Sequence, residues 1–295
     1  MSSLQALAQP LLDFVQPIAL SPLNIGVQIT AVALPCLLLS ETANSTLGRW
    51  IFKPLASLGF IVAALSYIPN NATSFAASQI STLTSFSTLS EISDMIAATG
   101  VSGLLTAYAG ELKHILFNVA PAVMTEGFHT TYTRAMMGAF VLGYIGDVLL
   151  IPAWGFLPGL ASFLAGHAAF MVAFTIHGQD MTARQRGLGF VVAMAATVGP
   201  WLLPKIKDKV MRGAVVAYML VISGMVLTAF GSVNSGQDYL PERIVGALMF
   251  FFSDLFVARQ QFVHQTTFNK WIGLPLYYVA QLLLASTLRS QHVLN

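Results

Sequence analysis

Two aspartates stand where an apolar helix would not tolerate them without a reason. Asp147 lies in Tyr144-Ile-Gly-Asp-Val-Leu-Leu150 and Asp254 in Phe250-Phe-Phe-Ser-Asp-Leu-Phe256, both well inside apolar runs. An ionisable side chain at the middle of a membrane span costs about 2.5 to 3.5 kcal/mol on insertion scales, so each calls for a partner or a function. Two carboxyl groups in a water-poor setting, one holding its proton and the other ionised, make a general acid–base pair. The plainer alternative for either one alone is a structural carboxyl hydrogen-bonded to a neighbouring helix.

Other polar side chains interrupt apolar runs as well: Lys53, His167, Tyr218, Tyr277, Tyr278 and Gln281. Gln281 shares a helix face with Tyr278 at i, i+3 and with Tyr277 at i, i+4, which gives a polar stripe. Each also has a plain role open to it. Lys53 at a helix start can snorkel to the interface, His167 can be a satisfied packing histidine, and Tyr277 and Tyr278 can belong to an interfacial aromatic belt. The histidines are scattered without a His-x-x-x-His pair, and Cys36 is the lone cysteine, so neither a metal site nor an internal disulfide is expected.

Composition says what must position these residues. Of 295 residues, 56% are hydrophobic and 9% charged, against about 25% charged in an ordinary soluble domain. That is too few charges to cover a water-soluble surface. Apolar residues recur in runs of roughly 17 to 22, the length that crosses a ~30 Å hydrocarbon layer as a helix. The expected fold is an all-α integral membrane protein: one polytopic domain over residues 1–295, a compact bundle of about eight transmembrane helices. The spans fall near Leu23 to Leu39, Phe52 to Pro69, Arg134 to Pro152, Leu157 to His177, Gly187 to Leu203, Met211 to Gly231, Arg243 to Arg259 and Trp271 to Leu288.

Asn70 to Thr133 breaks this pattern. A Ser/Thr-rich tract (Asn71 to Ser90) precedes a moderately apolar stretch from Ile96 to Met124, where Glu111, Lys113 and His114 favour an amphipathic interfacial helix over a ninth span. Met1 to Ser21 lacks the basic region of a signal peptide, so the first span is expected to act as its own insertion signal. A net charge of +2 with no basic tail argues against nucleic acid as a partner. The bilayer is the partner expected, and the oligomeric state is not written in the chain.

Parity of the spans relates the two aspartates. The third and seventh run in the same direction, and Asp147 and Asp254 lie 13 and 11 residues from their starts at Arg134 and Arg243. At 1.5 Å per residue both fall within about 10 Å of one membrane face. That face receives Arg49, Lys53, Lys205, Lys207, Lys209, Arg212, Arg259 and Lys270, eight of the fourteen basic residues, which gives a faint preference for non-cytosolic termini. Arg184, Arg186 and the basic residues from Lys205 to Arg212 are expected to be solvated loop charges. Even-numbered spans begin at the same face, bringing Lys53, Tyr218, Tyr277, Tyr278 and Gln281 to the level of the aspartates, with His167 slightly deeper. A polar pocket with hydrophobic walls is expected there, and Gly143, Gly146, Gly159, Ser162 and Gly166 are expected to let backbones approach closely around it.

Taken in order and spacing, several of these features resemble the YhhN family of membrane lysoplasmalogenases. They are Lys53-Pro54-Leu55, Gly146-Asp147, Gly159 to His167, Tyr218, Gly246 to Ala258 around Asp254, and Tyr277-Tyr278 followed by Gln281. The Asn70 to Thr133 insert departs from the family's shorter connection. The resemblance implies a cofactor-free, multi-pass membrane hydrolase, in the endoplasmic reticulum if the chain is eukaryotic. Its substrate would be a lysoplasmalogen-type lipid, cleaved at the vinyl ether bond to a fatty aldehyde and a glycerophospho-alcohol.

Such hydrolysis protonates the alkene carbon remote from oxygen, adds water to the oxocarbenium ion and collapses a hemiacetal. Asp147 and Asp254 would divide acid and base work, in an order left open. Tyr218, Tyr277, Tyr278 and Gln281 would position water or the ether oxygen, and Lys53 or His167 would meet the head group or tune an aspartate. A membrane terpenoid cyclase or epoxide-opening enzyme needs a similar buried donor, and a proton-coupled lipid transporter or scaffold would also account for intramembrane aspartates.

Overall fold

The computed structural model describes residues 24–68, 131–232 and 240–292, together with position 98. Eight α-helices run through the three segments: α1 (Ile25–Thr42), α2 (Thr46–Ser66), α3 (Thr131–Leu149), α4 (Phe156–Thr175), α5 (Met181–Leu202), α6 (Lys209–Gly231), α7 (Leu240–Phe262) and α8 (Thr267–Ser286). Among the described residues the chain is all-α, with one isolated bridge between Gln179 and Ser232. Each helix covers one of the expected spans. The expectations for Met1 to Ser21 and for the insert, apart from position 98 and residues 131–133, fall outside the described residues.

Five helices, α2, α4, α5, α6 and α8, are long and apolar enough to cross a membrane, and α1 is a shorter apolar helix. The remaining two are less apolar because of what they carry: α3 holds Arg134 and Asp147, and α7 holds Glu242, Arg243, Asp254 and Arg259. The chain is an integral membrane protein whose least apolar helices bring polar groups to the interior.

Helix starts follow capping groups rather than the onset of apolarity. The Asn24 side chain accepts from the backbone N–H of Gly26 at 2.9 Å, Ser45 from Gly48 at 3.1 Å and Asp208 from Met211 at 2.7 Å, each satisfying a donor with no intrahelical acceptor. The Ser45 cap starts α2 at Thr46, six residues ahead of the expected Phe52. Lys53 therefore sits about two turns inside the helix. It is not the snorkelling anchor that a helix start would offer, since it is 8% exposed.

Chain neighbours pack as pairs, α1 on α2, α3 on α4, α5 on α6 and α7 on α8. Contacts of α2 with α3, of α4 and α7 with α6, and of α8 with α2 close a ring, with α1 outside against α2 and α8 and α5 outside against α6. The α1–α2 seam is the tightest: a Cβ on Gly26 would fall 2.2 Å from the Ala63 nitrogen and 2.3 Å from the Gly59 oxygen. Thr30 Oγ1 crosses the same seam to the Ala56 carbonyl at 3.0 Å. Inside the ring, Phe60, Phe140, Phe170 and Phe250 are fully buried, and Phe140 meets Phe170 edge-on with centroids 5.4 Å apart, the arrangement that the ring quadrupole favours.

Candidate functional site

A cavity of about 510 Å³ lies at the end of the bundle where odd-numbered helices finish and even-numbered ones begin. Its walls are mostly apolar, with Leu150, Phe163, Val198, Leu202, Met219 and Leu255 among them. Lys53, Asp147, Tyr218, Asp254 and Tyr277 interrupt that surface. Both aspartates thus face one chamber, although their surroundings differ.

Asp147, 2% exposed, is surrounded by donors from α2 and α8. Lys53 Nζ stands 3.4 Å from Oδ1, while the Ser57 hydroxyl and the Tyr277 hydroxyl each donate to Oδ2 at 2.7 Å. Behind Tyr277, Gln281 Nε2 donates to its hydroxyl at 3.2 Å, so a relay Gln281→Tyr277→Asp147 fixes which way the phenol points. Tyr278 takes a different place: its hydroxyl lies 3.3 Å from both Ser57 Oγ and the Lys53 carbonyl, against the backbone that carries the lysine. An ionised carboxylate is an acceptor only, and one facing an ammonium and two hydroxyls has its lone pairs matched.

Asp254 sits against α4 and α6. The Tyr218 hydroxyl donates to its Oδ2 at 2.6 Å, and His167 Nε2 lies 2.7 Å from that hydroxyl and 3.2 Å from the same Oδ2. His167 Nδ1 has no partner among the described residues, whereas Nε2 has both Tyr218 and Asp254 within reach. The Asp254 side chain keeps 18% of its surface exposed, against 3% for Asp147. Phe163 and Phe250 stand between the two clusters. Phe250 touches His167 at a centroid distance of 4.5 Å and Tyr277 at 5.2 Å, and Phe163 meets Tyr277 at 5.8 Å.

Small residues make this arrangement possible, in part by the backbone approach expected of them: a Cβ on Gly159 would fall 3.3 Å from the Gly146 oxygen and one on Gly166 3.4 Å from the Ala139 oxygen. A Cβ on Gly146 would fall 2.7 Å from the Phe163 ring, and one on Gly143 would fall 2.8 Å from Gln281 Nε2. These glycines seat side chains of the site. Ser162 does join helices, donating to the Leu142 carbonyl at 2.7 Å.

Of the eight residues singled out from sequence, five line the cavity, while His167, Tyr278 and Gln281 stand behind its wall. Tyr277 and Tyr278, 6% and 0% exposed, are not members of an interfacial belt. Sequence reasoning passed over Ser57, whose one signal was its i, i+4 spacing from Lys53. It also took Arg49 and Lys270 only as basic residues of one face. Both line the cavity, with Glu41, Gln260 and Asn269. Asn269, 1% exposed, fastens the α7–α8 turn: Arg259 donates to its Oδ1, and its Nδ2 donates to Gln260 Oε1 at 2.8 Å and to the His264 carbonyl at 2.7 Å.

Residues 112–288 match the model of a family described as the YhhN family. The matched segment contains α3 to α8 and both aspartates, while α1 and α2, with Lys53 and Ser57, lie outside it. The chain is 30% identical over 162 residues to lysoplasmalogenase TMEM86B of Homo sapiens, covering 54% of this chain and 66% of that protein. The Rattus norvegicus protein of the same name is 30% identical over 162 residues (54% and 64%), and that of Mus musculus 31% over 153 residues (52% and 62%). The aligned part is less than two thirds of each relative's own length. No solved structure matches at a significant level.

Proposed function

The chain belongs to the YhhN family, and on that premise we propose that it is a membrane hydrolase cleaving the vinyl ether bond of lysoplasmalogen-type lipids to a fatty aldehyde and a glycerophospho-alcohol. The name borne by its mammalian relatives supports the substrate. The observation that carries the reading is a single apolar cavity presenting two aspartates in unlike settings.

The donors divide the work. Asp147, facing an ammonium and two hydroxyls, is the lasting carboxylate. It stabilises the oxocarbenium ion and takes a proton from the attacking water. Asp254 is the acid: it is the more exposed of the two, and Tyr218 and His167 both meet its Oδ2, which leaves Oδ1 to carry the proton it delivers. Asp254 protonates the alkene carbon remote from oxygen, and water adds to the adjacent carbon while Asp147 accepts its proton. On collapse the hemiacetal hydroxyl returns a proton to Asp254, Asp147-H protonates the departing glycerol oxygen, and both groups are restored. One water is consumed and no redox partner is needed. Placing both groups against one bound chain supplies the proximity that general acid–base catalysis requires.

Running the reaction in D₂O tests the chemistry. The expected aldehyde carries one deuterium on the carbon next to the carbonyl, and in H₂¹⁸O the glycerol product stays unlabelled because its own oxygen departs with it. Label in the glycerol hydroxyl, or no aldehyde at all, would refute vinyl ether hydrolysis by this route.

A further inference from the structure

All four tryptophans of the chain lie at one end of the bundle: Trp50 in the first turn of α2, Trp154 between α3 and α4, Trp201 at the end of α5 and Trp271 at the start of α8. Three are exposed, at 72%, 39% and 45% for Trp154, Trp201 and Trp271. Lys205, Lys207, Lys209 and Arg212 occupy the same end. Indole rings and cations collect at the head-group level of a bilayer, so this end of the bundle sits in a head-group layer, and the cavity reaches it at Arg49 and Lys270, whose side chains are 22% and 28% exposed.

The mouth itself is cationic. Lys270 Nζ lies 2.7 Å from Glu41 Oε2, and Arg49 Nη1 lies 4.0 Å from the same oxygen. Two cations share one carboxylate, which leaves one positive charge over; Arg49 Nε and Nη2 already donate to Ser45 and Asn44, so Arg49 Nη1 and Lys270 Nζ are the donors left for an incoming anion. Lys53, by contrast, is committed to Asp147. We propose that Arg49 and Lys270, held by Glu41, bind the phosphate of the substrate lipid at the cavity mouth and position its vinyl ether at the aspartates. The assignment rests on the lipid-hydrolase reading for the second half of that statement and on the mouth's geometry for the first.

Spacing supports it. Arg49 and Lys53 are i, i+4 on one face of α2, about 6 Å apart along the axis, and Lys53 carries Asp147. A phosphate seated at Arg49 leaves a gap of about one helical turn to the carboxylate. The glycerol carbons that separate phosphate from vinyl ether fill that gap, and the alkenyl chain continues among the apolar walls.

Equilibrium binding to the full chain in nanodiscs tests this without turnover. One probe is a 1-O-alkyl-glycerophosphocholine, saturated at the reacting carbons, and the other is the phosphate-free 1-O-alkylglycerol of the same chain length. The wild type is expected to prefer the phospholipid by about tenfold or more, the size of a charge-assisted contact. Arg49→Gln and Lys270→Gln lose most of that preference. Lys270→Arg keeps it, as does Lys207→Gln, a cation at the same end that does not line the cavity. Equal affinities in the wild type, or a preference retained in both glutamine variants, overturn the assignment. Inorganic phosphate displacing the phospholipid at matched concentration also overturns it, by marking a site for free phosphate. A chain that shows the preference yet releases no aldehyde from an alkenyl lipid refutes the hydrolase reading and leaves the phosphate site standing, and aldehyde release without the preference does the reverse.

Discussion

At Asp147, buried to 2% exposure, Lys53, Ser57 and Tyr277 replace the water that its carboxyl group lost. Removing one partner of such a pair leaves an uncompensated buried charge, so Lys53→Met is expected to cost about 3–5 kcal/mol of stability, and adding Asp147→Leu to recover most of it. Thermal melting of the purified variants in detergent measures both; a Lys53→Met protein as stable as the wild type would show that the pair is not what holds the carboxylate. At Asp254 the corresponding probe is Tyr218→Phe, which deletes one hydroxyl within reach of both Asp254 and His167. Turnover is expected to fall on the order of 10²-fold with little change in KM, as for a group whose contact with the acid counts in the transition state. A pure KM effect would instead make Tyr218 a binding residue.

Among the helices, the all-α bundle and its eight helices were legible because apolar runs of membrane length are a strong signal, although five of the eight are long and apolar enough to span a membrane. Helix starts were less so, since hydropathy does not register a cap: Ser45 moved Lys53 from the edge of α2 to its interior. Two strongly apolar contexts made Asp147 and Asp254 visible, whereas Ser57 was hidden because a serine in a span has too many ordinary uses. Nothing in the sequence told that Gly143 and Gly146 seat Gln281 and Phe163, since that depends on which helices meet. The α1–α2 seam gives a prediction of the same scale. Gly26→Val would drive a side chain into the backbone at Gly59 and Ala63, and such overpacking costs about 1–3 kcal/mol or more. A lowered melting temperature is the expected readout, and an unchanged one would mean that the seam is looser than its distances.

At the scale of the described bundle, the tryptophans and cations at one end, the Arg49–Lys270 pair and the apolar chamber with two aspartates form, on the reading proposed above, a single gradient from head group to chain. Single-tryptophan variants in proteoliposomes should all quench at the same shallow depth and from the same side, by brominated lipids and by an impermeant quencher respectively. A tryptophan quenched only from the opposite side would break the gradient. The central claim, that the two aspartates perform the chemistry, is tested most directly by mass spectrometry of a 1-alkenyl lysophospholipid incubated with purified wild type, Asp147→Asn and Asp254→Asn proteins, each verified as folded by its elution in detergent. Fatty aldehyde from the wild type, reduced by about 10²–10⁴-fold in both variants, is the result predicted; undiminished aldehyde from either variant would contradict it.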